Sequence, residues 1–225
     1  MELNGYPPSG IWGPAAEGLL IVGLTGGIAT GKTEVTSRLI SLGAMVVDAD
    51  RVARDVTLPG TEVYKRIVDE FGPEILDTNG GIDRPALAGK VFGNESRRRL
   101  LNSITHPAIF AEIIRRVQEY GERRGPGEVP AVVIDAALIV DVGASGMFDL
   151  IIVVTADEET RIRRLTGPRG MSEEDARGRV ASQIADSGRL ASGDIVIENK
   201  GSIDELEETV DSVWDEVARR ARSRR

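Results

Sequence analysis

The sequence contains no cysteine, which excludes disulfides, cysteine-ligated zinc and thiol catalysis and suits a reducing cytoplasm. It has no apolar run near the ~20 residues that a membrane-spanning helix needs. Residues 1–18 lack the basic start and apolar core of a signal peptide. A basic excess is missing too. The net charge of −8 argues against general nucleic-acid binding, which needs a positive field to displace counterions. What is present is an ordinary globular composition, 41% hydrophobic and 28% charged over 225 residues. That balance excludes wholesale disorder and allows one core with a smaller inserted piece.

Short apolar runs alternate with helical patterns, the signature of a wound parallel sheet in an α/β fold. Five runs, 19–24, 44–47, 131–134, 150–154 and 195–197, are rich in Val and Ile without alternation, as strands covered on both faces require. A helix is expected from Lys32, turning Val35, Leu39 and Leu42 to the core. The last helix opens with a capping box, Ser202 and Glu205, and is expected to bury Ile203, Leu206, Val210, Val213, Trp214 and Val217. Before the first strand, residues 1–18, with Pro7, Pro8 and Pro14, read as a loose extension, although its Tyr6, Ile11 and Trp12 have the chemistry to tuck onto the body.

Two stretches interrupt the alternation. Residues 59–125 are helical in pattern, broken by the turn Asp77-Thr78-Asn79-Gly80-Gly81, and read as an inserted subdomain. Residues 161–189 hold seven arginines (161, 163, 164, 169, 177, 179, 189) against four acids (173, 174, 175, 186). On an acidic chain this patch reads as a phosphate-neutralising lid or as a solvated helix face, and its place between two strands near the loop below favours the lid. The core is then 19–58, 126–160 and 190–225.

The strongest motif is Gly26-Gly27-Ile28-Ala29-Thr30-Gly31-Lys32-Thr33, which fits G-x-x-x-x-G-K-[ST] between a strand and a helix. Glycines let backbone N–H groups turn inward around phosphates, and the helix N-terminus adds partial positive charge. Lys32 reaches the transferring phosphate of ATP, and the Thr33 hydroxyl is placed to ligate Mg²⁺. A glycine-rich turn that binds nothing fits this context poorly.

The second strand ends in Val46-Val47-Asp48-Ala49-Asp50. Asp48 and Asp50 share a face if the strand continues, and a carboxylate there can take a proton from an attacking hydroxyl. The competing reading makes Asp50 a helix N-cap, with Arg54 one turn later either holding a substrate phosphate or facing solvent. Asp135 follows an apolar strand, where an acid holds Mg²⁺ through water in this kind of fold. Asp141 is more ambiguous. The guanine-reading N-K-x-D is absent, because Asn199-Lys200-Gly201 is followed by Ser202.

Taken together, these pieces resemble the dephospho-CoA kinase family over nearly the whole chain after residue 18. The resemblance rests on Gly23-Leu24-Thr25-Gly26-Gly27-Ile28 with Gly31-Lys32, on Val47-Asp48-Ala49-Asp50 with Ala53-Arg54, and on Arg84 with Leu87. It also rests on Leu101-Asn102-Ser103-Ile104-Thr105-His106-Pro107 and on the run from Asp194 through Asn199 to Gly201. It implies a P-loop three-layer sandwich with a five-stranded parallel sheet, a helical substrate domain and a small lid. It further implies phosphorylation of the ribose 3′-hydroxyl of dephospho-CoA by ATP with Mg²⁺, in the cytoplasm. Asp50 would be the base, Lys32 and Thr33 would serve ATP and Mg²⁺, and Arg164 would be the lid arginine. Asp48, Arg54, Arg84 and His106 would contact substrate, and Asn199 and Gly201 would lie near adenine. His106, the single histidine, reads more readily as a structural residue before Pro107, with a binding contribution left open by its place in the family motif. Two stretches depart from the family pattern: Ala137-Leu138-Ile139-Val140-Asp141 and Thr166-Gly167-Pro168-Arg169. They leave open another small-molecule P-loop kinase or an ATP-binding relative without transfer. Oligomeric state has no signature here.

Overall fold

The Val- and Ile-rich runs form five strands: β1 Leu20–Gly26, β2 Met45–Asp48, β3 Ala131–Asp135, β4 Leu150–Thr155 and β5 Ile195–Glu198. They build one parallel sheet in the order β2-β3-β1-β4-β5, with Leu20 opposite Ala131, Val22 opposite Leu150 and Ile152 opposite Ile195. The central strand β1 is buried along its whole length, which explains why it shows no polar alternation. Strands later in the chain are added on both sides of β1, so its carboxyl end lies at a topological switch point, where wound sheets bind ligands. The computed structural model describes residues 12–136, 145–167, 170–182, 188 and 190–224. Tyr6, Ile11, the run 137–141 with Asp141, and Pro168, Arg169, Asp186 and Arg189 lie outside the described residues.

The chain divides into two compact units, Met1–Val47 with Val117–Arg225, and Asp48–Arg116. In the first, α1 (Lys32–Ser41) and the C-terminal helix pack together with the sheet. Val35 and Leu39 are fully buried and Leu42 partly so, as the helical spacing requires. The C-terminal helix, Ile203–Arg222, has the expected capping box: Ser202 accepts from the Glu205 N–H, and Glu205 reaches back to the Ser202 N–H. It buries Leu206, Val210, Trp214, Val217 and Ala221, while Ile203 is 57% exposed. Ile203 therefore departs from the expected core, because at the first helical position its side chain precedes the buried stripe.

The described residues just before β1 depart from the expected loose extension. From residue 12 on it packs: Trp12 is buried, donates its indole N–H to the Met147 carbonyl at 3.0 Å and meets the Phe148 ring. Pro14–Ala16 forms a 3-10 turn, and the Gln118 amide donates to the Trp12 carbonyl at 3.1 Å. A large buried indole with a satisfied N–H offsets the entropy of ordering the residues that follow it. At the other terminus, Arg224 grips Asp149 with both nitrogens, at 2.5 and 2.6 Å, and donates to the Leu19 carbonyl at 2.9 Å.

The second unit contains α2 (Ala49–Asp55), α3 (Glu62–Phe71), α4 (Arg84–Val91) and most of α5 (Glu95–Arg123). Its core is Ile67, Phe71, Ile75, Leu87 and Ile104. The predicted turn is present, with Asp77 accepting from the N–H groups of Asn79 and Gly81 at 2.7 and 3.0 Å. Arg116 ties α5 to α2, donating to Asp55 at 2.9 Å and to Glu112 at 2.8 Å.

Hydrogen bonds from Arg115, opposed by partial desolvation and aided by Arg116, hold the Glu112 carboxyl down at about 2. The folded value lies below the ordinary 4.5, so this contribution to stability is present above 4.5 and is lost as pH falls toward 2. Glu112→Gln is expected to flatten the stability profile between those pH values, as measured by urea unfolding at each pH. An unchanged slope would assign the acid sensitivity elsewhere.

Candidate active site

Between β1 and α1 the loop 27–31 curls around its own amide groups. Ala29 has φ of 60°, rare for a residue with a side chain, and Gly31 has φ of 96° as the N-cap of α1. The loop's carbonyls are each held by a donor. Gly27 O accepts from the Thr30 hydroxyl at 2.9 Å, and Ile28 O accepts from Arg161 Nε at 2.9 Å. Ala29 O accepts from Arg164 Nη1 at 3.2 Å, and Thr30 O accepts from Arg164 at 3.2 Å and Asn199 Nδ2 at 2.9 Å. Each hydrogen bond from a charged donor contributes on the order of 1.5–3 kcal/mol, enough to hold one residue in the left-handed region. These donors fix the conformation of the loop, and the Thr30 N–H closes a turn onto Gly27 O at 3.4 Å.

Lys32, the first residue of α1, pairs with Asp135 at the end of β3. Asp135 is buried, and its second oxygen accepts from the Thr36 hydroxyl at 2.7 Å. The structure therefore brings together the lysine and the acid that the motif reading placed separately. Thr33 follows Lys32 in the first turn with an exposed side chain. Among the described residues no three His, Cys, Asp or Glu side chains form a metal cage. A hydroxyl, one carboxylate and the phosphates of a bound nucleotide are instead the donor set that suits Mg²⁺, which keeps much of its water.

The helix after β4, α6 (Glu158–Thr166), packs with α7 (Glu173–Ala181). Ile162, Leu165 and Ala176 close over Ile28 and Ala29 of the loop. The arginines of this stretch divide. Arg161 is 2% exposed and, with Arg164, faces the loop; Arg177 pairs with Glu173 and Glu158 at the surface. Asn199 is buried, donating to Thr30 O and accepting from Arg164 Nη2 at 3.0 Å, so its side chain is engaged with the loop. The backbone around Asn199 and Gly201 borders an open groove with Lys200, Glu205 and Thr209.

The second unit carries the remaining candidates. The strand ends at Asp48, whose carboxylate caps α2 by accepting from the Arg51 N–H at 2.9 Å. The N-cap is therefore Asp48 and not Asp50, because the cap must accept from the N–H three residues on. Asp50 sits in the first turn of α2, so the shared strand face expected for the pair does not form. Asp50 and Arg54 are exposed, one turn apart on this helix. Arg84 Nη2 donates at 3.3 Å to the Thr57 hydroxyl just after α2, and that hydroxyl lies 2.9 Å from the Ala53 carbonyl and 3.0 Å from the Arg54 carbonyl. His106 lies within α5, and burial holds its imidazole below the ordinary value of 6.5, hence neutral at pH 7.

The dephospho-CoA kinase family model matches residues 20–205. The chain belongs to the dephospho-CoA kinase family. A Corynebacterium efficiens dephospho-CoA kinase is 42% identical over 90% of this chain and 99% of its own. The crystal structure of TT1252 from Thermus thermophilus superposes with a TM-score of 0.72 at 29% identity, covering 88% of this chain and 97% of that one. Dephospho-CoA kinase from Campylobacter jejuni has the same fold, with a TM-score of 0.59 at 24% identity, covering 89% and 98%.

Two contacts escaped the motif reading, that of Arg161 with the Ile28 carbonyl and that of Thr36 with Asp135. Arg161 lies three residues before Arg164, the spacing that puts both on one helix face. Thr36 stands four residues after Lys32, again on one face. The Gly31 requirement is also sharper than a need to approach phosphate. A Cβ there would lie 2.0 Å from Asn199 Nδ2, on a backbone at φ 96°. Gly31→Ala is expected to lose more than about 1 kcal/mol of stability and most nucleotide affinity. Thermal melting and nucleotide titration check both, and an unaffected variant would contradict the packing argument.

Proposed function

We propose that this chain transfers the γ-phosphoryl group of ATP to the ribose 3′-hydroxyl of dephospho-CoA, giving coenzyme A and ADP, the last step of coenzyme A synthesis. The family match over residues 20–205 carries the reading. The loop supports it chemically, a glycine-containing turn held in shape by Arg161, Arg164 and Asn199, with Lys32 at the start of the helix that follows.

In this account Lys32 leaves Asp135 and pairs with the transferring phosphate, while the loop amides from Gly26 to Thr33 hold the rest of the triphosphate. Thr33 and, through water, Asp135 would hold Mg²⁺, which supplies neutralising charge on the phosphates when bound. Asp50 takes the proton from the 3′-hydroxyl as that oxygen attacks. Arg54 in the last turn of α2 and Arg84 at the start of α4 bind acceptor phosphates, with Asp48 fixing the start of α2. Neutral His106 offers a polar contact to the acceptor from α5. Arg164, together with Asn199, holds the loop in its phosphate-ready shape, and the groove at Asn199 and Gly201 takes adenine. Residues 161–189 act as the lid that excludes water from the transfer, and 59–125 as the acceptor domain. The partners are ATP and dephospho-CoA, with neither nucleic acid nor membrane. No described helix is long and apolar enough to cross a membrane, and the reading places the enzyme in the cytoplasm.

Acceptor profiling tests the substrate. Dephospho-CoA is expected to outperform adenosine, nucleoside monophosphates and shikimate as acceptor in kcat/KM by orders of magnitude. Equal or better use of another acceptor would move the chain to a different small-molecule kinase activity.

A further inference from the structure

The Asp135 carboxylate is divided between two donors, Lys32 on Oδ1 and the Thr36 hydroxyl on Oδ2 at 2.7 Å. Thr36 Oγ1 is also 2.9 Å from the Lys32 carbonyl, yet a hydroxyl has one proton to give. That carbonyl already accepts the Thr36 N–H within α1, whereas Oδ2 belongs to a buried carboxylate paired with an ammonium and is the stronger acceptor. The proton therefore goes to Asp135.

The two donors differ in permanence. Lys32 is on a long, flexible stem and is required by the phosphate; Thr36 is fixed on the helix. Once Lys32 departs, Asp135 would be free to turn about its soft terminal torsion unless one oxygen stays pinned. We infer that Thr36 is a positioning residue that keeps Asp135 oriented after Lys32 has moved to the nucleotide, leaving the other oxygen available to metal-bound water. This rests on the reading above, in which Lys32 and Mg²⁺ both serve ATP.

Calorimetric titration with the imido analogue of ATP, in Mg²⁺ and in EDTA, tests the inference without turnover. The wild-type chain is expected to bind more tightly with Mg²⁺. Thr36→Val, nearly the same shape without the hydroxyl, should lose about 10-fold or more of that gain, with affinity in EDTA within about 2-fold. Thr36→Ser should retain the gain, and Thr36→Ala supplies the same comparison should the valine variant fold poorly. A valine variant with the full Mg²⁺ gain, or with equal losses in both conditions, overturns the inference. A wild-type chain with no Mg²⁺ gain sinks the metal reading itself, and the inference with it.

Discussion

Lys32→Ala is expected to lower kcat with dephospho-CoA by at least about 10²–10³-fold, the usual cost of removing one aimed charge from a transition state. The loop amides remain in this variant, because their orientation depends on Arg161, Arg164, Asn199 and Thr30, not on Lys32. Nucleotide binding should therefore fall much less than turnover. The variant should also melt at lower temperature, since buried Asp135 loses its ammonium partner and keeps only Thr36. Initial rates at saturating substrates measure the effect. A rate within tenfold of wild type would remove Lys32 from the transfer step.

Asp50→Asn is expected to cost about 10²–10⁴-fold in kcat, the range for loss of a general base, with ATP affinity nearly unchanged. The location of the cap makes this test clean. Asp48 accepts from the Arg51 N–H, so changing Asp50 leaves the start of α2 intact. Asp50→Asn loses only the small benefit of a negative charge in the first turn, about 0.3–1 kcal/mol. Asp48→Ala should do the reverse, removing about 1 kcal/mol of stability through the lost cap. An Asp50→Asn enzyme that turns over normally would require another base.

The sheet was legible because strands buried on both faces leave apolar runs without polar alternation, Val and Ile in β3 and β4 and Leu, Ile and Val in β1. The loop was legible because the phosphate motif constrains four positions at once, Gly26, Gly31, Lys32 and Thr33. The supports of that loop were not. Arg161 and Asn199 meet it from 133 and 169 residues away, and no local pattern records such a contact. Asp50 was misplaced as a possible cap because two acids stand two residues apart, and only the helix geometry decides which accepts the N–H. Trp12 was read with a proline-rich leader, whose composition hides a single buried indole.

Simultaneous measurement of ADP and of the phosphorylated acceptor, from ATP and Mg²⁺ with and without dephospho-CoA, tests the central claim most directly. The account predicts that ADP release requires dephospho-CoA and that each ADP is matched by one new phosphate at the ribose 3′-position. Bound ATP with no ADP formed, or ADP released equally without acceptor, would contradict it.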